Sequence, residues 1–111
     1  MVNGEVVATG KVGADITAER AAELSRMCAL AALAAIDDVA GLDKVVRVVK
    51  VVGFVASAPG FTGQPSVING ASDLFVSVFG ANGQHARSAI GVAELPLGAA
   101  VEVEVVVEVA D

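Results

Sequence analysis

Residues 44–57, KVVRVVKVVGFVAS, are apolar or glycine at nearly every position. Valine dominates, and β-branched residues favour strands. A strand that is apolar on both faces must be covered on both faces. Its two internal charges, Arg47 and Lys50, lie three positions apart and are expected on opposite sides. Helices can cover one face. The other face needs a second sheet, and 111 residues leave nothing to build one. The chain is 55% hydrophobic, with four Phe and no Trp or Tyr. That is more apolar surface than one small core uses, so the excess is expected at a subunit interface.

The flanking segments supply the helices. Asp15 and Thr17 are candidate caps, and Glu19 sits in the first turn beside the positive end of the helix dipole. From Ala18 to about Val39 the sequence has no Gly or Pro. Leu24, Met27, Cys28, Ala31 and Ala35 fall at helical spacing. Its polar groups Arg20, Glu23 and Arg26 occupy the first half, so the helix is expected to be more buried toward its C-terminal end. Gly41 stops it. APGFTGQP, 58–65, is a loop. A second helix is expected from about Pro65 to Phe79, a turn over 80–84, a strand at 87–95, the connection PLGAA, and a strand at 101–109. Residues 1–14 are Gly-rich and are expected to be a loop or a strand remnant within a single domain, 1–111. The order predicts an α+β layer, one sheet with two helices on one face.

Charge excludes several functions. Thirteen acids against seven bases give −6, and the bases are scattered. Phosphate binding needs clustered positive charge, so no nucleic-acid partner is expected. The longest uncharged apolar run, MCALAALAAI, is half a membrane span, so no membrane partner is expected. No secretory signal is visible, and a cytoplasmic location is expected. The single Cys28 allows no internal disulfide. One histidine, His85, with no second His or Cys beside it makes no metal site, and no nucleophilic triad forms around it. No cofactor loop is present. As a residue of the turn before a strand, His85 is expected to be solvated.

Two strands carry candidate chemistry. In HARSAIGVAELP, 85–96, alternation puts Ser88, Ile90, Val92 and Glu94 on one face, which suits a helical core. Arg87, Ala89, Gly91, Ala93 and Leu95 make the other, a nearly smooth face with room for a flat neighbour or a small ligand. VEVEVVVEV, 101–109, puts valines on one face and Glu102, Glu104, Val106 and Glu108 on the other. Glu102 is the best placed of these for a partly desolvated margin, where proton-transfer chemistry is favoured. If the two strands are adjacent and antiparallel, Arg87 and Glu102 lie about 20–25 Å apart along the axis. A site using both would then draw Glu102 from a neighbouring subunit.

HARSAIGVAELP followed by VEVEVVVEV resembles the C-terminal pattern of the YjgF/RidA family, whose members also carry the name endoribonuclease L-PSP. SVINGASDLFVSVFG, 66–80, is similar to the helix before it. VRVVKVVGFVAS, 46–57, followed by PGF resembles its middle strand and loop. NGASDL with HARSA looks closest to a less-characterised branch. The likeness covers roughly residues 10–109 and begins after the family's N-terminal paired strands. It implies a chorismate-mutase-like fold assembled as a homotrimer, with three sheets in a barrel and clefts between subunits. It also implies hydrolysis of small reactive enamine or imine carboxylates to 2-keto acids and ammonia. In that pattern Arg87 grips the substrate carboxylate by a two-pronged hydrogen bond. Glu102 positions the attacking water, Asn69 lines the cleft, and Ala89 stands where a backbone N–H contacts ligand. The alternative is a non-catalytic trimer that binds a small carboxylic acid or a protein partner. Ribonuclease activity ranks third, because the chain is acidic and has no basic groove.

Overall fold

The computed structural model describes residues 8–111. The reading of residues 1–7 as loop or strand remnant lies outside the described residues. Among residues 8–14, Thr9 bridges Ala99, and buried Val12 bridges Ser57.

Helix α1 spans Ala18–Val39. Thr17 caps it, its hydroxyl accepting from the Arg20 N–H at 3.1 Å. Gly41, at φ 88°, ends it. A single 3-10 turn then leads into β1, Val45–Ala56. Helix α2 spans Gln64–Phe79, with Pro65 in its first turn. A 3-10 turn at Gly80–Gly83 leads into β2, Ala86–Val92, and β3 is Val101–Val109. The sheet order is β2-β1-β3. β1 runs parallel to β2 and antiparallel to β3. So β1 lies in the centre and β2 and β3 do not touch.

Both helices cover one face of this sheet. Val48, Val51, Val55 and Val101 are buried there against Ala21, Leu24, Val67, Ile68, Ala71 and Phe75. The α+β layer expected from the sequence is the observed fold. No helix among the described residues is long and apolar enough to cross a membrane.

Three local readings of the sequence are corrected. Arg47 pairs with Glu108 and Lys50 with Val106, so both charges share the open face. Register shifts between Val45 and Arg47 and between Val48 and Lys50 each insert an extra residue into β1. An odd insertion flips the alternation that follows it. Arg47 Nε reaches Glu108 Oε1 at 2.8 Å across that face.

In β2 the faces are reversed. Arg87, Ala89 and Gly91 are level with Val51, Gly53 and Val55, which face the helices. A Cβ on Gly53 would lie 2.3 Å from Ile68 of α2, and one on Gly91 would lie 2.7 Å from the Gln64 amide. These positions are small because α2 sits on them. Ile90, assigned to the core by pattern, is 45% exposed on the open face.

In α1 the buried residues are Ala21, Leu24, Ser25, Ala29 and Leu33, while Ala31, Ala35 and Val39 are exposed. Burial therefore falls off toward the C-terminal end. Alanines add hydropathy with little side-chain area to bury, so their density is a weak guide to the buried face. Ser25, the only buried polar residue among those described, accepts from the Ala71 N–H at 3.0 Å and ties the two helices together.

Candidate functional site

The open face of the sheet has three well-registered rungs. Ile90, Phe54 and Glu102 form one, Ser88, Val52 and Glu104 the next, and Ala86, Lys50 and Val106 the third. Val106 is 56% exposed. Apolar side chains thus fill much of this face, with carboxylates along the β3 side.

Arg87 is on the opposite, helix-covered face. Because β2 is an outer strand, its long side chain extends past the flank of α2. There Nη1 donates to Asn69 Oδ1 at 2.7 Å and to Ser72 Oγ at 3.3 Å. Asn69 and Ser72 are one turn apart on α2 and so share a flank. Ser72 Oγ is also 2.9 Å from His85 Nε2, and His85 Nδ1 lies 2.5 Å from the Gly83 carbonyl. The His85 ring stands edge-on to Phe75, centroids 6.1 Å apart. The histidine is therefore partly buried and held at both nitrogens. This corrects the expectation of a solvated turn residue.

The electrostatics of this cluster are one-sided. The ion pairs among the described residues are Lys11–Glu94, Arg20–Glu23 and Arg47–Glu108. Arg87 is in none of them. Its guanidinium is oriented by the neutral acceptors Asn69 and Ser72. A shallow depression of about 260 Å³ opens beside it, lined by Ser72, Val76, Gln84, His85 and Arg87. Ala89 is two positions along the same face, level with Gly53. Arg87, Asn69 and Ala89 thus fall in one neighbourhood. Ser72 was not among the residues singled out from sequence. The signal for it is its polar side chain three residues after Asn69.

Glu102 is elsewhere. It is level with Phe54, Arg87 is level with Val51, and the two point to opposite sides of the sheet. The expected 20–25 Å offset is corrected, because β1 intervenes and the axial offset is three positions, about 10 Å. The opposite facing is what keeps the pair apart within one chain.

A larger groove of about 400 Å³ lies between α1 and the start of β3, walled mainly by apolar side chains such as Met27, Leu97 and Val103. Cys28 and Glu102 also border it. It is the roomier concavity, but the polar groups converge at Arg87. Burial pushes the Cys28 thiol up from its ordinary value, and the Glu102 carboxylate adds to this. Cys28 should therefore alkylate more slowly with iodoacetamide at pH 8 than an unstructured peptide thiol does, because the thiolate is the nucleophile. The folded state holds this proton more tightly than the unfolded state does. The resulting stability is full below the ordinary thiol range and is lost as pH rises above it. Equal alkylation rates for native and denatured protein would contradict this.

A sheet of this order backed by two helices, with an arginine at the head of its outer parallel strand, defines the class of α+β proteins to which the chain is related. The model for the endoribonuclease L-PSP family matches residues 1–109. The chain belongs to that family, the YjgF/RidA family. It is 52% identical to Protein TCP17 of Trypanosoma cruzi over 102 residues, which are 90% of this chain and 64% of that protein. The chain thus spans under two thirds of the length of this relative. Among solved structures it is similar to protein Atu1372 of Agrobacterium tumefaciens, of unknown function, with TM-score 0.96 and 42% identity over all of this chain and 72% of that one. It is also similar to a candidate endoribonuclease from Shewanella oneidensis, with TM-score 0.93 and 25% identity over 98% of this chain and 73% of that one.

Proposed function

We propose that the chain assembles as a homotrimer and hydrolyses small reactive enamine or imine carboxylates in clefts between subunits. The observation that carries this reading is Arg87, a strand-borne guanidinium oriented by Asn69 and Ser72 and ion-paired with no carboxylate among the described residues. A planar fork of donors with an unsatisfied charge matches a carboxylate in geometry and in sign. Exposed Ile90 and Val106 and half-buried Val52 and Phe54 on the open face support the assembly, since packing against other copies would cover them.

The chemistry asks little of the protein. Water adds to the imine carbon of a 2-imino acid, giving a carbinolamine. Its collapse expels ammonia and leaves the 2-keto acid. Arg87 anchors the carboxylate and so fixes the imine carbon. A carboxylate that accepts a proton from the water as it attacks supplies general-base assistance. Glu102 fills this role from a second copy of the chain, because within one chain it faces away from Arg87.

A pyridoxal enzyme that forms 2-aminoacrylate from serine provides the test, with pyruvate release as the readout. The reading requires faster release with the protein than without it. Carboxylate binding with no acceleration would favour the non-catalytic binder. RNA cleavage is disfavoured by the net charge of −6.

A further inference from the structure

Resting on the reading of Arg87 as a carboxylate anchor, we propose that His85 is a positioning residue whose protonation, passed through the Ser72 hydroxyl, tightens anion capture at Arg87. The proton inventory fixes the direction of each bond. The Gly83 carbonyl can only accept, so His85 Nδ1 carries a hydrogen and donates to it. Arg87 can only donate, so Ser72 Oγ accepts from Nη1. With a neutral imidazole, Nε2 is a lone pair, and the Ser72 hydroxyl hydrogen is spent on it. The His85 ring nitrogens and the Ser72 hydroxyl then all have partners, and Arg87 holds the only full charge in the cluster.

Protonation changes two things. Nε2 becomes a donor to Ser72 Oγ, so the Ser72 hydrogen is released and can turn toward the depression that Ser72, His85 and Arg87 line together. Two cations now share one hydroxyl oxygen, with no carboxylate among the described residues bonded to either. Facing His85 from α2 are Ser72, Phe75 and Val76, and from the preceding turn Gly83 and Gln84. From β2 comes Arg87, the one charged group among the described residues that lines the same depression. Asp73, next to Ser72 on α2, is exposed and joins the cluster by no hydrogen bond or ion pair among the described residues. Lys50 of β1 is on the other face of the sheet. A bound carboxylate is therefore the natural counter-charge to both cations. By linkage, an anion that favours the imidazolium must bind more tightly once the imidazolium is present.

The test uses the intact protein and pyruvate, which stays ionised from pH 5.5 to 8.5. The chain has one histidine, so its ring proton resonances are unambiguous. Saturating pyruvate should raise the His85 titration midpoint by about 0.7 pH unit, and calorimetry should show roughly fivefold tighter binding below that midpoint than above it. In His85→Gln, affinity should be independent of pH. Binding that requires Arg87 but is flat with pH in the native protein, with an unmoved midpoint, overturns the role of His85 and leaves the anchor standing. No pyruvate binding at any pH overturns the anchor, and this proposal with it.

Discussion

Arg87→Ala should weaken carboxylate binding and slow imine hydrolysis by about two to four orders of magnitude. The substitution removes both prongs of a charge-assisted pair, and each hydrogen bond to a charged group contributes about 1.5–3 kcal/mol. Arg87→Lys should recover only part of the loss. An ammonium restores the charge but not the planar fork, and it cannot satisfy Asn69 and Ser72 while also presenting two parallel donors to a ligand. Fold and assembly should survive in both variants, because Arg87 has no ion pair to break among the described residues and Asn69 is exposed to water. Calorimetry with pyruvate reads the binding, and 2-keto acid release reads the reaction. Native-like binding in Arg87→Ala would remove the basis of the functional reading.

Gly70→Ala should cost the fold about 2 kcal/mol. Gly70 lies where α2 crosses α1, and a Cβ there would stand 2.0 Å from the Ala22 carbonyl oxygen. The obstacle is backbone, so no rotamer change relieves it. Overpacking costs about 1–3 kcal/mol, and a rigid backbone obstacle belongs at or beyond the top of that range. Alanine's better helix propensity returns about 1 kcal/mol. The helices must separate, which also strains the hydrogen bond from the Ala71 N–H to Ser25 Oγ one residue away. A thermal midpoint about 8 °C lower is expected. An unchanged midpoint would mean that the crossing is looser than these contacts imply.

Some elements were legible because one local rule decides them. The valines at every second position of 101–109, with glutamates at three of the four positions between them, give the strand and its faces, and β3 spans those residues. Thr17 and Gly41 bracket α1 by cap chemistry that needs no tertiary partner. What misled was tertiary. Ala89 and Gly91 look like a smooth outer surface when read along one strand, but they are small because α2 lies on them, a fact carried by Ile68 and Gln64 elsewhere in the chain. The bulges in β1 leave no mark in a run of valines, so Arg47 and Lys50 were assigned by a period that the strand does not keep. At the candidate site, Arg87 and Asn69 were legible through family likeness. Ser72 and the anchored state of His85 were not, since their meaning lies in a hydrogen-bond chain joining a helix, a turn and a strand.

The proposed function requires Arg87 and Glu102 to act in one site although a single chain points them to opposite sides of its sheet. Subunit complementation reads this requirement out. Arg87→Ala and Glu102→Gln should each be nearly inactive alone. Co-expressed at equal levels, the two should restore roughly one quarter of native activity. Each site then needs an intact Arg87 from one chain and an intact Glu102 from its neighbour, and random assortment supplies that pairing in about one site in four. Mixed oligomers that form and yet remain as inactive as either variant alone would contradict the claim.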